Sequence, residues 1–157
     1  MSTKTEATIE DLYNMPANGK AEIVNGELVL MPPTGGVPGR AGGEIYISLR
    51  DYERRTGSGY AFPDNVGFIV NLPNRRSFSP DAAFYTGELR GGLFLEGAPV
   101  FAAGTLVVWD VDVLRERLVR VYRAGDPENP TVYRSGQVAE AEPALPGWTM
   151  PVDDFLP

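Results

Sequence analysis

Asp81 is the residue whose neighbours most favour a chemical role. It lies in the stretch SFSPDAAFY at residues 77–85, where Pro80 precedes a β-prone run. Proline is tolerated at the first position of a strand because the ladder does not yet need its N–H group, so we expect a rigid strand to hold Asp81. Strand alternation then places Asp81, Ala83 and Tyr85 on one face, with room for a ligand beside the small residue. A carboxylate in this setting can bind a metal ion.

The Pro-Asp dipeptide alone does not distinguish a metal ligand from a turn residue. The 14 prolines and 9 aspartates among 157 residues give an expected 14 × 9 / 157, about 0.8, Pro-Asp pairs by chance, and the chain has two. The other pair, Pro63-Asp64, runs into the turn formers Asn65 and Gly67, so we interpret it as a turn. A structural role for Asp81, such as capping a neighbouring turn, remains an alternative to metal binding.

Composition excludes several kinds of active site. The chain has no cysteine and no histidine, which removes disulfides, thiolate chemistry, zinc sites built from these residues, histidine acid catalysis and Ser-His-Asp triads. A metal ion would have oxygen ligands, which suit Mg²⁺, Mn²⁺ or Ca²⁺. The 157 residues are enough for a hydrophobic core, so we expect one domain over residues 1–157.

The charge balance limits the partners. The formal net charge is −7, which opposes tight non-specific binding to a polyanion but leaves room for a local basic patch. Arginine supplies 12 of the 14 basic residues, and the lysines are Lys4 and Lys20. No apolar run approaches the length of a membrane span, and the N-terminal residues lack the apolar stretch of a signal peptide. We therefore expect a cytoplasmic protein with no membrane partner.

Several local patterns in the first part of the chain predict the elements that position these residues. Thr8 and Asp11 form a capping-box pattern that opens a short helix over residues 9–14. Asn25-Gly26 separates two apolar runs within residues 21–31 and predicts a β-hairpin, because a type I′ turn needs positive φ at both central residues.

A long helix is expected over residues 40–56, after a Pro- and Gly-rich loop at residues 32–39. Its apolar stripe has helical spacing and consists of Ala41, Ile45, Leu49 and Tyr52. Gly57 is placed to end it. The opposite face carries Arg50, Asp51, Arg54 and Arg55. Such charges ordinarily form a solvated face rather than a phosphate-binding one.

The rest of the chain alternates strand and turn patterns. We expect strands over residues 60–62, 66–70, 78–85, 105–109, 117–123, 131–134 and 137–141. Turns or loops are expected over residues 71–76, 87–97 and 125–130. The run 105–109 is apolar at almost every position, which is typical of a strand buried on both faces in the middle of a sheet, and 117–123 should pair with it. The last two strands should form a hairpin, and the tail 145–157 should dock on the sheet.

The order of these pieces resembles the Uma-type restriction endonuclease family of the PD-(D/E)XK nuclease superfamily. The matching pieces are Glu22 with Gly26-Glu27-Leu28-Val29, Met31-Pro32-Pro33, Ser79-Pro80-Asp81, Trp109 with Asp112, residues 119–123, and Leu145-Pro146-Gly147. The similarity covers nearly the whole chain. It implies an α+β fold in which a mixed β-sheet is flanked by helices.

The resemblance also implies a metal-dependent phosphodiesterase site. In that site the Pro-Asp aspartate, here Asp81, and a strand glutamate bind Mg²⁺ or Mn²⁺, and a nearby lysine orients the water or the phosphate. The metal lowers the pKa of bound water and neutralises charge building on the phosphate. An N-terminal glutamate commonly joins the site and is matched by Glu22, with Glu27 as a further candidate ligand.

The chain departs from the family pattern between Pro99 and Gly104. Family members have a strand and a helix there, which carry the glutamate and the lysine and amount to roughly 20 residues by ordinary element lengths. No substitute is evident, since no lysine follows Lys20 and the nearby Glu96 lies in a Gly-rich loop. Either the molecule lacks the segment and its site is incomplete, or the sequence omits residues that the molecule contains. The second explanation is favoured because losing a central strand would expose an apolar core.

Three functions follow as hypotheses. The first is a metal-dependent DNA endonuclease, in which a local cluster of arginines would bind the DNA. The candidates are Arg40, Arg50, Arg54, Arg75 and Arg76. The second is a degenerate, non-catalytic module that binds nucleic acid or protein. The third is a structural homodimer in which Asp81 is a fold residue, and fold similarity alone does not decide among them.

Overall fold

The computed structural model describes residues 5–16, 19–102 and 106–156. Its helices are α1 Ile9–Tyr13 and α2 Gly36–Thr56, followed near the C-terminus by a 3₁₀ turn at Val152–Asp154. Its strands are β1 Lys20–Val24, β2 Glu27–Met31, β3 Tyr60–Pro63, β4 Phe68–Leu72, β5 Arg75–Phe78, β6 Ala82–Tyr85, β7 Leu95–Glu96, β8 Val107–Asp112, β9 Leu118–Arg123, β10 Asp126–Arg134, β11 Val138–Glu140 and β12 Thr149–Pro151.

The two strongest local predictions in the N-terminal region are confirmed. Thr8 caps α1, its hydroxyl accepting from the Asp11 N–H while the Asp11 carboxylate accepts from the Thr8 N–H. The β1–β2 hairpin turns at Asn25 and Gly26, which have φ values of 51° and 74°. Both residues therefore have the positive φ that a type I′ turn requires.

The main sheet has the strand order β2-β1-β5-β4-β7. Its pairs are antiparallel except β4–β7, which is parallel. α1 packs against β1 of this mixed sheet, and α2 packs against β3 and β6, which pair with each other outside it. The combination gives the α+β class expected from the sequence.

The predicted continuous strand over residues 78–85 is wrong. β5 ends at Phe78 and pairs within the main sheet, whereas β6 begins at Ala82 and pairs with β3. Pro80 lies between them and has no N–H group to donate to a ladder, which interrupts the pairing. Asp81 therefore directly precedes a strand and does not lie within one.

The long helix α2 begins four residues earlier than predicted, at Gly36. The first N–H groups of a helix need no intrahelical partner, so Pro38 fits the first turn where it would break a helix interior. The predicted apolar stripe is buried: Ala41, Ile45, Leu49 and Tyr52. Gly57 ends the helix in the left-handed conformation at φ 60°.

The prediction that the apolar run 105–109 is buried on both faces is wrong for the part that the structure describes. Within β8, Val107 is buried, but Val108 and Trp109 are only half-buried, and Leu106 just before the strand is exposed. β8 pairs with β9 on one side, as expected. On its other side, among the described residues, Val107 forms one isolated bridge with Phe101. The strand is half-buried because it lies at the edge of its ladder. Residues 103–105 lie outside the described residues.

The C-terminal pairing also differs from the prediction. A turn closes at residues 134–137, but β10 pairs with β9 and β11 pairs with β12, so the expected hairpin does not form. Of the turn expected at 125–130, Gly125 lies in a turn, but residues 126–130 belong to β10, where the register shifts between Asp126 and Thr131. The tail docks as predicted, since Trp148, Phe155 and Leu156 are buried in the core.

β6 separates two buried clusters. Ala82 and Phe84 pack with the α2 stripe and Trp148, whereas Ala83 and Tyr85 pack with Phe68. Strand alternation places these side chains on opposite faces. Among the described helices, none combines the length and apolarity needed to cross a membrane.

Candidate active site

A cavity of about 380 Å³ lies where β1, α2 and the segment before β6 meet. One of its walls is formed by residues 108–111 of β8, and another by Phe101 and Ala102. Its polar lining consists of Lys20, Glu22, Arg75, Ser79, Asp81 and Asp110. The elements that converge here bring together charged residues that are far apart in the sequence.

Glu22 is held at the base of this site by β1. It is 6% exposed, and its Oε1 atom accepts a hydrogen bond from the Ser79 N–H at 2.8 Å. Its Oε2 atom accepts from Arg75 Nη1 at 3.0 Å. A buried carboxylate needs such partners to compensate for its lost hydration. Glu22 therefore ties β1 to the segment that carries Asp81.

Asp81 is the more open of the two predicted catalytic carboxylates. Its side chain is 56% exposed, and it approaches α2 so closely that a Cβ atom at Gly42 would lie 3.3 Å from Asp81 Cβ. The prediction that Asp81 shares a face with Ala83 and Tyr85 is wrong, because Asp81 lies outside the strand and contacts the helix. The exposed carboxylate can take a ligand from solvent.

Lys20 connects the two Pro-Asp pairs of the chain. Its Nζ atom lies 2.7 Å from Asp64 Oδ1 and 3.5 Å from Asp81 Oδ1. The two aspartates meet because Pro63 pairs with Ala82 in the β3–β6 ladder. Lys20 was not among the site residues predicted from the sequence, because its place in the site depends on the antiparallel pairing of residues 60–63 with 82–85, which the structure reveals.

Ser79 adds a polar atom that the sequence analysis also missed. Its Oγ atom is buried, and no hydrogen-bond partner for it exists among the described residues. Asp110, a further carboxylate of the lining, lies 3.4 Å from Arg120 Nη1. The cavity therefore contains one buried hydroxyl whose hydrogen bonding is incomplete and one carboxylate that is already ion-paired.

Glu27 lies apart from this site. It pairs with Val24 beside the hairpin turn, whereas Lys20 at the other end of β1 pairs with Met31. Glu27 is exposed and does not line the cavity. The structure brings Glu22 and Asp81 together but leaves this third predicted ligand outside.

The predicted DNA-binding arginines do not form one patch. Arg40 and Arg54 are separated along α2 by about 21 Å at 1.5 Å per residue. Three of the arginines pair with acids on the same helix: Arg40 with Glu44, Arg50 with Glu53, and Arg54 with Asp51. Arg75 lines the cavity, and Arg76 follows it on β5 and is exposed.

The donor set fits a metal ion only in part. Within the described ranges, no group of three or more acids could hold a metal by itself. Magnesium, however, is commonly bound through one or two carboxylates, with water and substrate phosphate completing its shell. Asp81 is exposed and Glu22 lines the same cavity, although Glu22 already accepts two hydrogen bonds. These residues fit a magnesium ion shared with a substrate, and they do not fit a cage made by the protein alone.

The segment in which the resemblance implies a glutamate and a lysine is short in this chain. Phe101 forms a parallel bridge with Val107, and the five residues between them make the connection. Parallel pairing usually needs a crossover of a dozen or more residues. Residues 97–102 contain no acid and no lysine, so the structure has no counterpart of those two side chains in the described part of this segment.

Comparisons with known proteins agree on the fold. The family model Uma2, described as "Putative restriction endonuclease", matches residues 8–102, which is more than half of the chain. A crystal structure of "a putative nuclease belonging to DUF820 from Anabaena variabilis ATCC 29413" has a TM-score of 0.74 and 15% identity, covering 95% of this chain and 97% of that one. No curated protein matches the sequence. The extent of the family match shows that this chain belongs to the Uma2 family.

Proposed function

We propose that this chain is a divalent-metal-dependent endonuclease that hydrolyses phosphodiester bonds of DNA. One observation carries the proposal. Glu22 and Asp81 line one cavity and are connected through the Glu22 hydrogen bond to Ser79. Both residues lie within residues 8–102, the segment that matches the family described as "Putative restriction endonuclease".

Asp81 would hold the metal ion, Mg²⁺ or Mn²⁺, with Glu22 as its partner carboxylate. A bound divalent ion lowers the pKa of water and offsets charge on the phosphate. Arg75 holds Glu22 in one orientation, and the Ser79 N–H fixes the distance between β1 and the Asp81 segment. The buried Ser79 hydroxyl is available to bind a polar group in the cavity.

DNA would approach against an overall charge of −7. Positive charge at the cavity comes from Lys20 and Arg75, and Arg76 is exposed beside them. The paired arginines of α2 contribute less, because their charges are already balanced locally. Binding is therefore expected to be modest and to weaken steeply with salt.

Plasmid cleavage with and without Mg²⁺ or Mn²⁺ tests the proposal. Asp81→Asn should reduce the cleavage rate about 100-fold or more, since metal stabilisation is worth several kcal/mol and each 1.36 kcal/mol is tenfold in rate. Asp126→Asn is the matched control, because Asp126 is exposed on β10 and does not line the cavity. Equal cleavage by a folded Asp81→Asn protein would show that Asp81 is not the metal ligand.

A non-catalytic DNA-binding module is the second candidate. The observation that favours it is the incomplete acid set: Glu22 is neutralised by Arg75, and the described part of the chain offers no three-acid group for a metal. Such a module would retain DNA in a salt-dependent manner and leave it intact with every divalent metal tested. Binding without turnover in the plasmid assay would support this candidate and contradict the nuclease.

A further inference from the structure

We propose that Lys20 is the residue that binds the substrate phosphate in this cavity. The inference rests on the proposed action on DNA and assigns a role to a side chain outside the predicted site. Lys20 is the only lysine among the described residues, and its side chain is only 17% exposed. A lysine this enclosed is held in one place by its surroundings.

The position of Lys20 on β1 directs it to the site. Lys20 and Glu22 are two residues apart on one strand, so their side chains lie on the same face. Both line the cavity together with Asp81. The ammonium group therefore lies on the same wall as the carboxylate that fixes the Asp81 segment.

The two ionic contacts of Lys20 differ in length. The 2.7 Å contact with Asp64 is a normal charge-assisted hydrogen bond, whereas the 3.5 Å contact with Asp81 is longer than one. An ammonium has three N–H donors, and these two carboxylates account for at most two. Lys20 can therefore keep its bond to Asp64 and still donate to a phosphate oxygen beside Asp81.

The other cation of the lining is less available. Arg75 donates to Glu22, a buried carboxylate that would be costly to leave without its partner. Asp64 and Asp81 are both substantially exposed, so water can replace the ammonium at either of them. Among the described charges at the cavity, Lys20 is the one that a phosphate can recruit at the smallest cost.

A purely structural salt bridge is the competing explanation. In that case Lys20 would link β1 to Asp64 and Asp81 and would never contact DNA. The two explanations differ in the salt dependence of DNA binding, because each phosphate contact by a cation adds about one to the slope of log K against log salt.

The experiment measures binding of a fluorescent duplex by polarisation from about 50 to 200 mM salt, with EDTA present so that cleavage does not interfere. Lys20→Met should weaken binding for all duplex sequences and reduce the salt slope by about one. Lys20→Arg should keep the slope. Arg90→Met removes one positive charge from an exposed residue outside the cavity and should leave the slope unchanged.

Thermal melting shows whether each variant is folded. If Lys20→Met does not fold, Lys20→Gln provides a second neutral side chain with the same expected loss of slope, and Lys20→Arg remains the charge-retaining control. An unchanged slope in a folded neutral variant overturns the role of Lys20 while the wild-type protein still binds DNA. If the wild-type protein binds no DNA at low salt, the proposed function fails and the role of Lys20 falls with it.

Discussion

Replacing Glu22 with alanine removes the contact that joins β1 to the Asp81 segment. The change leaves the Ser79 N–H and the Arg75 guanidinium without their carboxylate partner. A hydrogen bond to a charged group contributes roughly 1.5–3 kcal/mol. Arg75 is 36% exposed and can regain water, so we take the lower end for both bonds and expect a loss of about 3 kcal/mol.

The assay for this prediction is thermal unfolding followed by circular dichroism. For a chain of this size each 1 kcal/mol shifts the melting temperature by about 2–4 °C, so Glu22→Ala should melt about 6–12 °C below the wild-type protein. Glu22→Gln keeps an acceptor for the Ser79 N–H and should lose about half as much. Glu88→Ala breaks the exposed pair with Arg90 and should shift the melting temperature by about 2 °C or less. A Glu22→Ala protein that melts like the Glu88→Ala control would refute the described role of Glu22.

Two further predictions concern the C-terminal region. Trp148 is fully buried, 4.9 Å from Trp109 between ring centroids, so Trp148→Ala should cost about 3–5 kcal/mol in urea unfolding; a loss below about 1 kcal/mol would contradict the docked tail. The Ser135 hydroxyl and the Gly136 N–H hold the pKa of Asp153 below its usual value. Because the folded pKa is depressed, this stabilisation is present above the unfolded pKa near 3.9 and is lost as pH falls through the folded value. Asp153→Asn should therefore lower the melting temperature at pH 7 and make the melting temperature fall less steeply below about pH 4. If melting temperature plotted against pH gives parallel curves for the wild-type protein and the variant, this role of Asp153 is contradicted.

Elements specified by adjacent residues were predictable from the sequence. The Thr8 capping box and the Asn25-Gly26 turn depend on contacts within a few residues, and both formed as expected. The α2 stripe was equally clear, because helical spacing alone identifies the buried face. The start of α2 was missed since its first turn tolerates proline.

Features that depend on long-range pairing were not predictable in the same way. Local β propensity on both sides of Pro80 suggested one strand, whereas β5 and β6 have different partners. The convergence of Asp64 and Asp81 on Lys20 depends on the β3–β6 register. A single sequence does not show which strands pair or in what register, so Pro63-Asp64 was interpreted only as a turn.

Cleavage of supercoiled plasmid by the wild-type protein, with and without divalent metal, is the decisive test of the nuclease site. We expect nicked and linear products with Mg²⁺ or Mn²⁺, no products with EDTA, and restored cleavage when the metal is added back. Plasmid that stays supercoiled with every divalent ion, at protein concentrations where polarisation shows bound DNA, would contradict the claim that Glu22 and Asp81 form a nuclease site.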